Sequence, residues 1–475
     1  MSPLLVFSVI GGYFLLLMII ANYTTKGSNQ ESFFTGNRQS PWYVVAFGMI
    51  GASLSGVTFI SVPGEVGNSN WAYFQMVLGY LLGYLVIAQV LLPLYYRMNL
   101  VSIYQYLDSR FGNTTYKTGA SFFLLSRVIG AAFRLFLVAT VLQVAFFDAF
   151  NIPFAVSVLV TISLIWLYTF KGGIKTIVWT DTLQTFFMLL AVGITIWIIA
   201  KELDYTAAEL MSTVWNSDYS DIFIWDWKAP RNFFKQFFAG AFIAIVMTGL
   251  DQDMMQKNLT CRSIDDAKKN VFWFSVVLVF ANLLFLALGV LLYQYGHTNQ
   301  INFNEITDKL YPYLAMNHLG LFAGVVFLLG VTAAAYSSAD SALTALTTSF
   351  FIDILDKDPV KSSPSGRKKV HLMFSVIIFL VIILFEAIND DSVINSLFKI
   401  AGYTYGPLLG LYAFGLFTDL KVKDQFVPLV CLLAPAFTYL INANSEAWLG
   451  GYKFGFELLL VNGALTFAGL FFIRK

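Results

Sequence analysis

Charge is what this chain has least of. Of its 475 residues only 12% are Asp, Glu, Lys or Arg, and the net charge is +1. Soluble domains carry about twice that charged share, so an ordinary soluble globule is excluded. Near-neutrality without a basic run gives no sign of a nucleic-acid partner. Cysteine is almost missing: Cys261 lies in a polar connection and Cys431 in an apolar run, which supplies neither a disulfide framework nor metal-ligand spacing. Three histidines leave little for transition-metal or acid–base chemistry. No catalytic His, paired-carboxylate motif or metal set is found, so no enzyme is expected. The first apolar run, 3–21, has no basic region before it and no small-residue cleavage site after it, and reads as a retained helix rather than a signal peptide. No soluble domain, such as a sensor kinase, is expected to be appended.

Long apolar runs are abundant. Hydrophobic residues make up 58% of the chain and the mean hydropathy is +0.70. The runs fall near 3–21, 42–67, 71–96, 119–148, 152–170, 177–200, 233–256, 269–295, 319–352, 370–388, 392–417, 425–442 and 455–473. They predict an all-α polytopic membrane protein with about thirteen transmembrane helices. Lys and Arg set the orientation. Lys26, Arg38, Arg97, Arg110, Lys117, Lys171 and Lys175 fall on one side with Lys257, Arg262, Lys268 and Lys269. The same side takes Lys357, Lys361, Arg367, Lys368, Lys369, Lys421, Lys423, Arg474 and Lys475. Only Lys201, Lys228, Arg231, Lys309 and Lys453 oppose them. The N-terminus is therefore expected outside a cell (inner) membrane and the C-terminus in the cytoplasm. The acidic, Trp-rich stretch 201–231 reads as a short outer cap, 356–369 as a flexible inner linker, and 100–112 as an amphipathic interfacial helix.

The chemistry lies in a few polar insertions. In VTAAAYSSADSALTALTTS (331–349), Ala334, Ser337, Ser338, Ser341, Thr344, Ala345 and Thr348 recur at helical spacing with Asp340 beside them. Hydroxyl and carboxylate oxygens are hard ligands for a small hard cation, and an intramembrane Asp is a functional-site hypothesis. This points to an ion-coupled transporter. GMIGASLSGVTFISVPG (48–64) makes a poor continuous helix; a break there would free carbonyls for a midplane site, or its small residues could serve helix packing. Asp181 either balances Lys175 or Lys171 or acts in the membrane. Asp251 and Asp253 would lie about 200° apart on a helix; Asp253 suits Lys257 at i,i+4, leaving Asp251 for a cavity. Arg127 can snorkel to the inner interface. Arg134 is deeper and needs a carboxylate, from a protein Asp or from an anionic substrate. Gln75, Gln89 and Gln143 are further intramembrane polar groups, and Lys399 precedes Tyr403, Tyr405 and Gly406-Pro407.

GASLSGVTFI (51–60), YTFKGGIKTIVWTD (168–181) and AAAYSSADS (333–341), with Phe33-Phe34-Thr35-Gly36, together give a chain that resembles the sodium/solute symporters, the family of sodium–sugar, proline, pantothenate and sialic-acid carriers. The resemblance implies a LeuT-like core of two inverted five-helix repeats, at 42–200 and 233–417. An N-terminal helix and inner loop (1–41) would precede the core, the outer loop 201–231 would divide it, and a C-terminal helix pair (418–475) would follow. By position it implies a main sodium site of the Gly56, Phe59 and Ala334 carbonyls with the Ser337 and Ser338 hydroxyls. A second sodium site would take Asp181, Ser338 and Ser341, with Asp340 where such members have Ser. Na+ is thus the implied coupling ion, one or two per cycle, and Asp340 either adds charge there or pairs with Arg134 or Lys399. For substrate the resemblance implies Arg134 and Thr58, joined by Gln75 and Asp251 as cavity candidates. Ile60 and Pro63 replace polar family positions, and Met76, Val77 and Leu78 stand where sugar carriers have Glu. A small carboxylate-bearing solute is therefore favoured over a neutral sugar or polyol. The expected function is sodium-coupled import by alternating access, against a transport-derived sensor or a channel without coupled uptake. The implied partners are the solute, sodium ions and the lipid bilayer, with a monomeric functional unit.

Overall fold

A computed structural model describes residues 2–26, 30–301, 303, 307–358, 364–387 and 393–475. Lys361, the middle of the 356–369 linker and the side chain of Lys171 lie outside the described residues. The described chain is helical, with only two isolated bridges, Ser40 to Cys261 and Val422 to Arg474. The main helices are α1 (Pro3–Thr24), α2 (Trp42–Ser69), α3 (Tyr73–Arg97), α4 (Asn113–Phe150), α5 (Phe154–Gly172) and α6 (Ile174–Glu202). Then follow α7 (Phe233–Gly249), α8 (Gln252–Asn258), α9 (Ile264–Thr298), α10 (Gly320–Ile354) and α11 (Pro364–Glu386). The chain closes with α12 (Val393–Thr404), α13 (Gly406–Phe417), α14 (Asp424–Ala443) and α15 (Leu458–Phe472).

Eleven of the thirteen predicted apolar runs each meet one of these helices, and two, 233–256 and 392–417, each meet a pair. Among the described residues nine helices are long and apolar enough to cross a bilayer, or ten if α7 and α8, bent by 69°, form one span. α5, α13 and α15 are shorter apolar helices, so the count by length and composition among the described residues stops at nine or ten and does not confirm thirteen. The run at 392–417 divides at Tyr405, where Gly406 and Pro407 open a new helix.

α2 is the centre. Of its most apolar stretch 89% is buried, against 22% for α1 and for α14, which belong to the periphery. It packs on α6, α9 and α10, while α3 packs on α7. The α3–α7 contact depends on glycine: a side chain on Gly79 would run into the Phe237 carbonyl, and one on Gly240 into that of Met76. Close approach through small residues is how helices gain packing energy in lipid.

Two connections fold onto this bundle. The stretch 201–231 forms a helix, Ala207–Trp215, started by a Thr206–Glu209 capping box. It then crosses the ends of α2 and α3, where Trp71 N donates to Asp221 O at 3.1 Å. The stretch 100–112 is not one interfacial helix. Only Gln105–Arg110 is helical, because its polar groups bond other helices instead of facing lipid. Arg110 donates to the carbonyls of Gly415, Thr418 and Leu420 at 3.1, 2.6 and 3.0 Å, and Ser102 donates to Asp353 at 2.8 Å. Both cysteines are free and buried, and burial pushes the Cys261 thiol up to about 12.

Candidate functional site

α2 is interrupted at Ser55, whose φ of 43° and ψ of 177° leave the helical region. Such backbone strain costs a non-glycine residue on the order of 1–3 kcal/mol and persists only where its surroundings over-determine it. Here α6 holds the preceding half of α2: Thr185 Oγ1 accepts from Gly51 N at 2.9 Å, and Thr182 donates to Val44 O at 3.1 Å. Beyond the break the Phe59 ring is fixed against Phe285, Tyr311 and Phe327, with centroids 5.9, 5.3 and 5.8 Å away. A broken helix frees carbonyl oxygens that the ladder would otherwise use.

The helix across the break is α10. A Cβ on Gly51 would stand 3.3 Å from Ser337 Oγ, and the Phe59 ring lies over Gly330. The two contacts bracket the break with opposite chain sense, so Ser55 and Gly56 lie across from the turn containing Ala334. Ser338 Oγ donates to Ala334 O at 3.2 Å and to Ala335 O at 3.1 Å, which sets its oxygen beside the Ala334 carbonyl. Phe59, Ala334, Ser337 and Ser338 therefore lie along one buried α2–α10 contact, while Gly56, next to the break, faces Val138 and the Arg134 carbonyl of α4. The oxygens of these five residues are neutral and hard, the chemistry that suits sodium.

One turn away the surroundings are charged. Asp181 on α6 accepts from Ser337 Oγ at 2.7 Å, and its other oxygen is 2.7 Å from Lys257 Nζ on α8. Lys257 also lies 4.0 Å from Asp253. Arg127 on α4 pairs with Asp253 and stands 3.8 Å from Asp251. Tyr405 donates to Asp251 at 2.5 Å, and Ser341 to Asp253 at 3.2 Å. All these charged side chains are buried.

Several expectations change on this geometry. Asp181 is balanced by Lys257, not by Lys175. Arg127 does not snorkel; its side chain is 3% exposed and enclosed by two carboxylates. Asp251 and Asp253 do share a partner, because the chain leaves the helix at Leu250 and Asp251, each with φ −108°. Asp251 thus sits outside the helical phase as an N-cap, accepting from Asp253 N at 2.9 Å. Asp340 accepts from Tyr168 OH at 2.9 Å, and pairs with neither Arg134 nor Lys399. Within the expected second set of Asp181, Ser338, Asp340 and Ser341 each side chain has its own partner, that of Asp181 being the Lys257 ammonium, while Asp340 lies within electrostatic reach of both Asp181 and Lys257.

Between the break and α4 lies a small cavity of about 70 Å³, lined by Ser55, Thr58, Tyr84, Arg127, Arg134 and Thr248 among others. Arg134 has no ion pair among the described residues, and its Nε lacks a hydrogen-bond partner. Gln75 and Asp251 do not line it. Gln75 is occupied by the 201–231 loop and its entry, donating to Ala72 O at 3.1 Å and Arg231 O at 3.0 Å and accepting from Ile224 N at 3.1 Å. Sequence reasoning missed the pairing of Lys257 with Asp181 and the whole Asp353 cluster, where Ser102, Tyr116 and Ser349 donate at 2.8, 2.7 and 2.6 Å. A buried lysine does demand a carboxylate, but the sequence does not say which.

The family model for the sodium:solute symporters matches residues 33–421. The chain is 24% identical to the sodium/sialic acid symporter NanT of Aliivibrio fischeri, over 83% of this chain and 79% of that protein. It is 24% identical to the sodium/sialic acid symporter SiaT of Proteus mirabilis, over 86% and 84%. Mouse sodium-coupled monocarboxylate transporter 1 is 24% identical over 83% of this chain and 66% of its own length. A substrate-bound, outward-open Na+-coupled sialic acid symporter shares the fold with a TM-score of 0.82, at 19% identity over 99% of both chains. A closed form of the nucleobase-cation-symport-1 transporter Mhp1 matches at 0.56, with 13% identity over 93% of this chain and 94% of its own. The fold is thus of the expected LeuT-like type, and with the family model spanning most of its length the chain belongs to the sodium:solute symporter family.

Proposed function

We propose that this symporter imports a small carboxylate-bearing solute with one sodium ion by alternating access. It would act as a monomeric unit in the bilayer of the cell (inner) membrane, with its N-terminus outside and its C-terminus in the cytoplasm. The observation that carries the solute class is Arg134. It is buried, it lines the cavity beside the α2 break, and among the described residues it has no ion pair. A guanidinium so placed suits a carboxylate bidentately, and Thr58 offers a hydroxyl in the same cavity. Relatives named for sialic acid and for monocarboxylates support the same class.

Sodium binds the Gly56, Phe59 and Ala334 carbonyls and the Ser337 and Ser338 hydroxyls, and so bridges the broken helix to α10. Ser337 points its hydroxyl proton at Asp181, which leaves its lone pairs for the cation. The second position, around Asp181, receives the ammonium of Lys257 in place of a second ion. Sodium favours the outward-open form, solute completes closure, and the bundle then rocks inward. Coupling requires only that both ligands favour the same state.

The test is a thermal-shift screen of purified protein in sodium and in potassium, with N-acetylneuraminate, lactate, pyruvate and glucose. A carboxylate should stabilise the protein in sodium only, by about 2.7 kcal/mol at a hundredfold excess over Kd, and Arg134→Gln should lose the effect. Stabilisation by glucose alone, or equal shifts in both salts, would contradict the reading.

A further inference from the structure

Lys399, on α12, takes no part in the machinery above. It is exposed, and no carboxylate among the described residues lies within ion-pair distance of it. It lines a cavity of about 590 Å³ at the 201–231 end, with Arg231, Gln236, Asn395, Phe398 and Asn442. The nearby carboxylates are committed: Glu65 to Arg231 at 2.6 Å, and Glu457 to Tyr452 OH and Gly455 N, both at 2.9 Å. Among the described residues the cavity therefore presents one ammonium without an ion pair, set among amides and beside the apolar rings of Phe398 and Phe456, whose centroids are 5.1 Å apart.

This cavity leads inward. It shares Arg231, Gln236, Asn395 and Phe398 with a smaller cavity that also touches Glu65. That one shares Tyr73, Ile394 and Phe398 with the cavity of Arg134. Phe398 thus borders all three, and the Glu65–Arg231 pair stands at the middle one. A cleft lined by charge of one sign raises the local concentration of counter-charged solute and its rate of entry.

We propose that Lys399, with the Asn395 and Asn442 amides, forms an outer capture site for a carboxylate-bearing solute, which passes from there by Glu65–Arg231 and Phe398 to Arg134. This rests on the carboxylate reading given above. Because Lys399 is exposed, the capture is weak and salt-sensitive, and it is independent of sodium, since it does not involve the α2–α10 contact.

The experiment measures binding of labelled N-acetylneuraminate and lactate to the full-length protein at low ionic strength, in wild type, Arg134→Gln, Lys399→Gln and the double variant. Arg134→Gln should retain a weak, sodium-independent phase that disappears in the double variant and above physiological salt. Lys399→Gln should raise the external half-saturating concentration about fivefold at low salt, and Lys399→Arg should restore it. If wild type binds and Arg134→Gln binds neither anion, the outer site is overturned while Arg134 stands. If Arg134→Gln binds as wild type does and only Lys399→Gln loses binding, Arg134 is overturned while the outer site stands. No binding of either anion to any form overturns both.

Discussion

Two neighbouring places on α10 offer oxygen to a cation, and they are built differently. Ala334 and Ser338 face the break in α2, where the donors are neutral carbonyls and hydroxyls. Ser341 reaches Asp253, and Ser337, which borders both places, reaches Asp181; there Lys257 and Arg127 already supply positive charge. Breaking a buried ion pair costs about 3–5 kcal/mol, so an ion competing with Lys257 for Asp181 loses roughly a hundredfold to a few thousandfold in affinity. On the proposed reading, the neutral place is the one that takes sodium. The second is distinguished by the Lys257 ammonium of α8, which lies 2.7 Å from Asp181.

The strongest way to break the comparison is Lys257→Met, which strips the tethered cation. It should destabilise the protein by about 3–5 kcal/mol in sodium-free buffer, recover partly as sodium enters beside Asp181, and be relieved by adding Asp181→Asn. Melting curves across a sodium series decide this; a variant as stable as wild type would mean that the pair contributes nothing. Arg134→Gln comes next. Losing a buried charge-assisted contact costs about 2–5 kcal/mol, enough to abolish measurable carboxylate uptake, and unchanged uptake would remove Arg134 from the solute site. Ser338→Ala or Ser337→Ala should raise the half-saturating sodium concentration by about tenfold, the worth of one or two buried ligand contacts at ~1–2 kcal/mol. Sodium dependence unmoved in both would dissolve the α2–α10 assignment. Asp340→Asn should do least, because Tyr168 OH still finds an acceptor. Uptake kinetics should show sodium dependence within about twofold of wild type, as befits ~0.5 kcal/mol at most, and a large shift would draw Asp340 into ion binding.

The helical layout was legible because lipid admits few alternatives to apolar helices, and the Gly, Ser and Pro content of 48–64 announced a weak helix that the structure breaks at Ser55. Lengths were less so: nothing in the 392–417 run fixes whether Gly406-Pro407 loosens a helix or ends it. The charged centre was hardest to read. The lysines near Asp181 in sequence are not its partner, which lies on α8, beyond the whole 201–231 loop. Helical phase does not place Asp251, because it fails where the chain bends. An intramembrane Gln75 suits a cavity by its sequence, yet its hydrogen bonds go to a loop whose path no local pattern encodes. Pairings across the bundle are set by how helices cross, and periodicity does not carry that information.

The comparison of the two places comes down to charge movement. One sodium with one monovalent carboxylate carries no net charge, whereas two sodium ions carry one. The direct measurement is solute accumulation in proteoliposomes under a fixed sodium gradient, with an inside-negative potential imposed or clamped to zero. If Lys257 fills the second position, accumulation is the same in both; accumulation that rises with the inside-negative potential in the wild-type protein would contradict the account.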